Sequence, residues 1–135
     1  MATDFRDLRV WEEAMALAEL VYGTAASFPA DERYGLAAQI KRAAVSIPSC
    51  IAEGNARAST RDYLRFLSMA KGSLAEVQTQ ILLALRLGFL DSPAADPLLE
   101  KARLVSVLLQ ALRKSLTAKL PRTSGSPSPI PASLL

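Results

Sequence analysis

Arg57, Arg61 and Arg65 recur at steps of four, the spacing that lines side chains along one face of a helix. Guanidinium groups so placed can meet successive phosphates, each by a planar fork of donors. Ser59, just upstream, offers a helix N-terminus whose unpaired amides favour an anion. Lys71 and Lys41 would widen this patch. The chemistry implied is retention of RNA or DNA by its backbone, with Arg57, Arg61, Arg65 and Lys71 as the contact residues. The competing reading is a solvated face with Asp62 as a local partner, and stacking aromatics nearby reduce to Tyr63 and Phe66.

A second polar set, Gln39, Arg42, Ser46, Ser49 and Glu53, keeps helical spacing within an otherwise apolar segment and straddles Pro48. A buried charge needs a partner. The expectation is therefore a structural network of Gln39, Arg42, Ser46, Glu53 and Glu76, in which Arg42 meets Glu53 or Glu76 and the serines satisfy backbone freed by the proline. Catalysis is not expected. The chain has no histidine and a single cysteine, Cys50, in an apolar stretch, which removes imidazole-dependent triads, disulfides and structural zinc. Ser68 and Lys71 are neighbours on a helix but lack a visible oxyanion donor, and the six glycines are scattered singly rather than forming a phosphate loop. No enzyme activity, cofactor or metal is expected.

The elements that must hold these residues are helices. Trp11, Met15, Ala18, Tyr22 and Ala25 step by three and four and predict a first helix from Leu8 to Ala26, stopped before Pro29. Leu36, Ile40, Ala43, Ile47 and Ile51 predict a second, from Glu32 to Gly54, kinked or broken at Pro48. Ser59 and Asp62 resemble a capping box that opens a third helix carrying Tyr63, Leu67, Ala70, Leu74, Val77, Ile81 and Ala84 to a stop at Gly88. Ser92-Pro93 and Asp96-Pro97 both read as starts of a fourth helix, with the second favoured, and Leu98, Ala102, Val105, Leu109, Leu112 and Leu116 carry it to Leu120. The fold class expected is an all-α, up-down-up-down four-helix bundle over residues 1–120. Residues 121–135, rich in Pro and Ser, predict a flexible tail.

Helices three and four are apolar on more than one side. Phe66, Met69, Leu83 and Leu87 on one, and Leu104, Val107, Leu108, Ala111 and Ala118 on the other, exceed what a monomeric bundle should expose. Phe66, Met69, Leu104, Val107 and Leu108 are accordingly expected to form the contact of a homo-oligomer.

Composition sets the remaining bounds. With 135 residues, 50% of them hydrophobic, and a mean hydropathy of +0.19, the chain is one folded domain. Its apolar runs, broken by Pro48 and Arg86, are too short to span a bilayer. Charged residues at positions 4, 6, 7 and 9 are unlike a secretory signal, so a cytoplasmic location is expected. The net charge of +3 is unevenly spread: residues 1–32 are acidic and 33–71 basic, which suits an anionic partner.

The segments Phe5-Arg6-Asp7-Leu8-Arg9-Val10-Trp11, Phe28-Pro29, Glu32-Arg33-Tyr34-Gly35-Leu36, Arg42-Ala43-Ala44-Val45-Ser46-Ile47-Pro48-Ser49, Ile51-Ala52-Glu53-Gly54, Arg65-Phe66-Leu67 and Gly72-Ser73-Leu74-Ala75-Glu76 resemble the four-helix-bundle family of 23S rRNA intervening-sequence proteins. The resemblance runs in order from Phe5 to Leu90, and Cys50 departs from it, standing where the family usually has Asn. The family is similar in fold to the accessory variability determinant of diversity-generating retroelements, a pentameric barrel that binds nucleic acid and a reverse transcriptase. The resemblance implies a homopentamer with nucleic-acid binding on basic surface. It supplies no catalytic residues. A protein-interaction scaffold that presents the acidic first helix or the tail to another protein is the alternative.

Overall fold

The structure, a computed structural model, describes residues 4–121 and 132–134. Four helices, α1 (Arg9–Ala25), α2 (Leu36–Asn55), α3 (Thr60–Arg86) and α4 (Ser92–Thr117), form an all-α bundle, with no strand among the described residues. Each helix packs on its chain neighbour, and α4 closes the ring of helices by packing on α1. That circular order is the up-down-up-down arrangement that short connections impose.

Local chemistry sets the helix limits. Asp4 accepts from the amide of Arg6 at 2.8 Å and caps a short 3-10 turn that leads into α1, while Phe5 packs edge-on against Trp11 with centroids 5.3 Å apart. The second helix starts at Leu36, four residues later than expected. Gly35 leaves the helical path at φ −101°, ψ −119°, and the Glu32 carboxylate reaches forward to accept from the Leu36 amide at 2.9 Å. Glu32 thus acts as a cap from outside the helix. The helix then runs through Pro48 without a break, although proline leaves the carbonyl of Ala44 without its usual donor.

Ser59 accepts from the Asp62 amide at 3.1 Å and opens α3 as a cap. At the far end Gly88 takes φ +76°. The Phe89 amide then reaches Ala84 O at 2.9 Å and the Gly88 amide reaches Leu85 O at 3.1 Å, the paired bonds of a Schellman stop. The fourth helix starts earlier than the favoured Asp96-Pro97. Asp91 accepts from the Ala94 amide at 2.9 Å and is the true cap, Pro93 lies in the first turn, and Pro97 is accommodated inside the helix. Pro121 is exposed, and most of the expected tail over 121–135 lies outside the described residues; Ala132–Leu134 within it forms one 3-10 turn.

Every buried residue among those described is apolar. The first helix presents Val10, Ala14, Leu17, Ala18, Val21 and Ala25 to the core, so its inward face is rotated from the expected stripe. Trp11 and Met15 are only half-buried, and Tyr22 is 48% exposed. The α2–α3 seam is the tightest. A Cβ added at Gly54 would lie 2.9 Å from Phe66 Cβ and 3.0 Å from Tyr63 Cδ1, inside any normal contact. Gly54→Ala is expected to destabilise the protein by about 1–2 kcal/mol, as overpacking of about 1–3 kcal/mol outweighs the gain in helix propensity. Thermal denaturation would register this as a melting temperature lower by roughly 4–8 °C.

Candidate nucleic-acid interface

The turn from α2 to α3 brings the three arginines to one edge of the bundle. The Arg57 and Arg65 guanidinium carbons each lie 4.6 Å from the Phe66 ring centroid. Asp62 sits between the two arginines, with Arg65 Nη2 at 2.9 Å and Arg57 Nε at 3.8 Å. One carboxylate therefore serves two cations, and Arg61, exposed on the same edge, forms no ion pair among the described residues. The edge keeps an excess of positive charge, and stacking and pairing restrict two of its guanidinium groups before any ligand arrives. Arg57 also shares a shallow depression with Ser59, Thr60, Asn55 and Lys119 at this end of the bundle.

Phe66 is not on an exposed contact surface. It is buried, 5% exposed, because Gly54 lets α2 approach closely enough to cover it. Lys71 is not on the arginine edge either. Six residues along a helix from Arg65 turn it well off that face, and it lines the cleft between α3 and α4 with Ser106, Gln110 and Arg113.

The expected polar network is partly assembled. Gln39, Arg42 and Ser46 of α2 face Ser73, Glu76 and Gln80 of α3 along one open groove. The antiparallel helices set these residues in rungs: Ser73 donates to Ser46 at 2.9 Å, Arg42 lies opposite Glu76, and Gln39 opposite Gln80. Ser46 also contacts the Cys50 sulfur at 3.7 Å. Two parts of the expectation fail. Glu53 is absent from the groove, since eleven residues from Arg42 along a helix is about 16 Å. Arg42 forms no ion pair with Glu53 or Glu76; both partners and Arg42 are exposed. A residue in water needs no buried counter-charge, which removes the premise of the network. Ser73 and Gln80, not foreseen, complete the groove, and helical spacing from Glu76 would have found both.

The apolar surfaces are redistributed as well. Met69, 48% exposed, lies on the side of α3 that carries Ser73 and Glu76, toward α2. Leu104 and Leu108 lie instead on the side of α4 that carries Lys101, whose ammonium bonds Glu13 of α1 at 2.7 Å, and Val107, 53% exposed, lies on the outer face of that helix. These residues therefore belong to different sides of the bundle. An apolar recess that the sequence reading did not include lies between α1 and α2: Trp11, Met15, Ala18 and Tyr22 of α1 face Val45, Pro48 and Ala52 of α2 across an open groove of about 590 Å³. The signal was in the sequence as the second apolar stripe of the first helix.

Residues 6–111 match the family model described as 23S rRNA-intervening sequence protein. No curated protein matches the chain. Among solved structures, the chain is similar to a protein with unknown function from the S23 ribosomal protein family of Bacteroides thetaiotaomicron, at a TM-score of 0.70 and 18% identity, over 78% of this chain and 98% of that one. That likeness is one of fold.

Exposure decides the energetic standing of Arg42. Arg42→Ala is expected to change stability by no more than about 0.5 kcal/mol, the usual range for surface substitutions. A melting temperature within about 2 °C of the parent is the outcome expected by calorimetry.

Proposed function

The chain belongs to the 23S rRNA-intervening sequence protein family, and from that premise we propose that it is a non-enzymatic, cytoplasmic homo-oligomer that holds RNA or DNA by the phosphate backbone at its Arg57–Arg61–Arg65 edge. The observation that carries the reading is the arginine edge itself, where Arg57 and Arg65 stack on Phe66 and share the single carboxylate of Asp62, while Arg61 beside them has no ion pair among the described residues. Stacked and paired guanidinium groups lose less freedom on meeting a phosphate than solvated side chains do. Such contacts position a protein on nucleic acid without reading its bases, so weak sequence preference and steep salt dependence follow.

Assembly is the second part of the reading. The apolar α1–α2 groove and the apolar strips on α3 and α4 are different surfaces on different sides of one protomer. A contact between unlike surfaces is head-to-tail and closes into a ring when the rotation between copies allows. The resemblance to the accessory variability determinant suggests five protomers. Repetition of the arginine edge around a ring would turn modest attraction per protomer into avidity on a long polyanion.

Replacing Arg57, Arg61 and Arg65 together with Gln should abolish retention on RNA and DNA columns at low salt and leave the oligomer intact. Absence of retention by the parent protein at low salt would overturn the reading and leave the interaction scaffold in its place. Val45, 42% exposed in the α1–α2 groove, tests the assembly: Val45→Glu should reduce the light-scattering mass to that of the 14.5 kDa protomer. A parent protein that already scatters as a monomer at micromolar concentration would remove the ring.

A further inference from the structure

We propose that the cleft between α3 and α4, bounded by Lys71, Ser106, Gln110 and Arg113, is a binding site for a single phosphate-type oxyanion, separate from the arginine edge. The cleft has a volume of about 110 Å³ and is floored by Leu109. A site for a drug-sized ligand runs to roughly 300–1,000 Å³, and a water molecule takes roughly 30 Å³ in the liquid. One tetrahedral ion fits this space, and a nucleoside does not.

Charge selects the ion. Lys71 and Arg113 face the same small cleft, and the polar groups that accompany them, Ser106 and Gln110, are neutral. Among the described residues no carboxylate lines it. The chain contains no Asp or Glu after Glu100, so α4 has none to offer beyond its first third. On α3, Asp62 is occupied at the arginine edge and Glu76 lines the opposite groove. Two like charges sharing a cleft repel one another, and an anion between them reverses the sign of that interaction.

The state of Arg113 points the same way. Its Nη2 donates to Ser68 across the helices at 3.2 Å, but its Nε is shut off from solvent and has no acceptor among the described residues. An unpaired buried donor is unfavourable, more so on a charged group. An oxyanion in the cleft supplies the missing acceptor once the guanidinium turns outward toward it. The Lys71 ammonium and the Ser106 hydroxyl complete a cradle of donors around the remaining oxygens.

The experiment follows the Arg113 Nε–H resonance in the 15N-labelled full chain while inorganic phosphate is added at constant ionic strength, with chloride as the matched control. A saturable shift specific to phosphate is expected. Lys71→Gln, on an exposed side chain that leaves the core untouched, should weaken the half-point roughly tenfold, whereas the Arg57, Arg61 and Arg65 triple Gln variant should leave it unchanged. A resonance that moves no more with phosphate than with chloride overturns the site, as does an undiminished response in Lys71→Gln. A short single-stranded RNA identifies the source of the phosphate. Displacement of inorganic phosphate by the RNA places a backbone phosphate in the cleft, and persistence of the phosphate response at saturating RNA assigns the site to a small phosphorylated ligand; both results uphold oxyanion binding. Since the triple variant separates the two surfaces, loss of column retention and loss of the Arg113 response report on different sites.

Discussion

The approach of α2 to α3 at Gly54 is the constraint on which the rest of this molecule depends. The space a side chain would take there is filled by Phe66 and Tyr63, and with Phe66 fixed beneath them, Arg57 and Arg65 acquire a flat surface to lie on. Asn55 donates to the Tyr63 hydroxyl at 3.3 Å, so the last turn of α2 is tied to the first turns of α3. A single missing Cβ thus links core packing to the charged edge, through contacts that pass from backbone to ring to guanidinium.

Bundle architecture was legible because each helix keeps one continuous apolar seam, and periodicity survives errors at the ends. The phase of that seam was less legible. In α1, Trp11, Met15 and Tyr22 are larger than Ala14 and Val21 and dominate any reading by side-chain size, yet the smaller residues pack inward, where a neighbouring helix comes close. Helix starts were less legible for a related reason. Glu32 caps α2 from four residues upstream and Asp91 caps α4 ahead of two prolines; both devices depend on chain geometry that spacing alone does not carry. The arginine edge was legible as a set, whereas its compensation by Asp62 and Phe66 required coordinates. Lys71 follows that edge in the sequence yet belongs to another face, because the six residues from Arg65 carry it well around the helix.

Seen around the bundle, the grooves differ in chemistry. Between α1 and α2 the lining is apolar, between α2 and α3 it is a ladder of serine, arginine, glutamate and glutamine, and between α3 and α4 it is cationic. The core beneath them is uniformly apolar. The sequence can therefore vary the chemistry of each groove through residues on helix flanks without altering the seam that specifies the fold, which separates the requirements of stability from those of recognition.

The bond between Glu13 and Lys101 joins residues 88 positions apart, while the other helix pairs are formed by neighbours in the chain. That difference orders the assembly of the molecule. Contacts between α1 and α2, α2 and α3, and α3 and α4 each close a short loop, at small entropic cost, and bundles built from such local contacts reach the native state quickly. Docking of α4 on α1 closes the longest loop and brings the acidic end of the chain against its basic end. During synthesis α1, α2 and α3 can gather before α4 exists, and the half-buried ion pair is then the latch that the last helix sets.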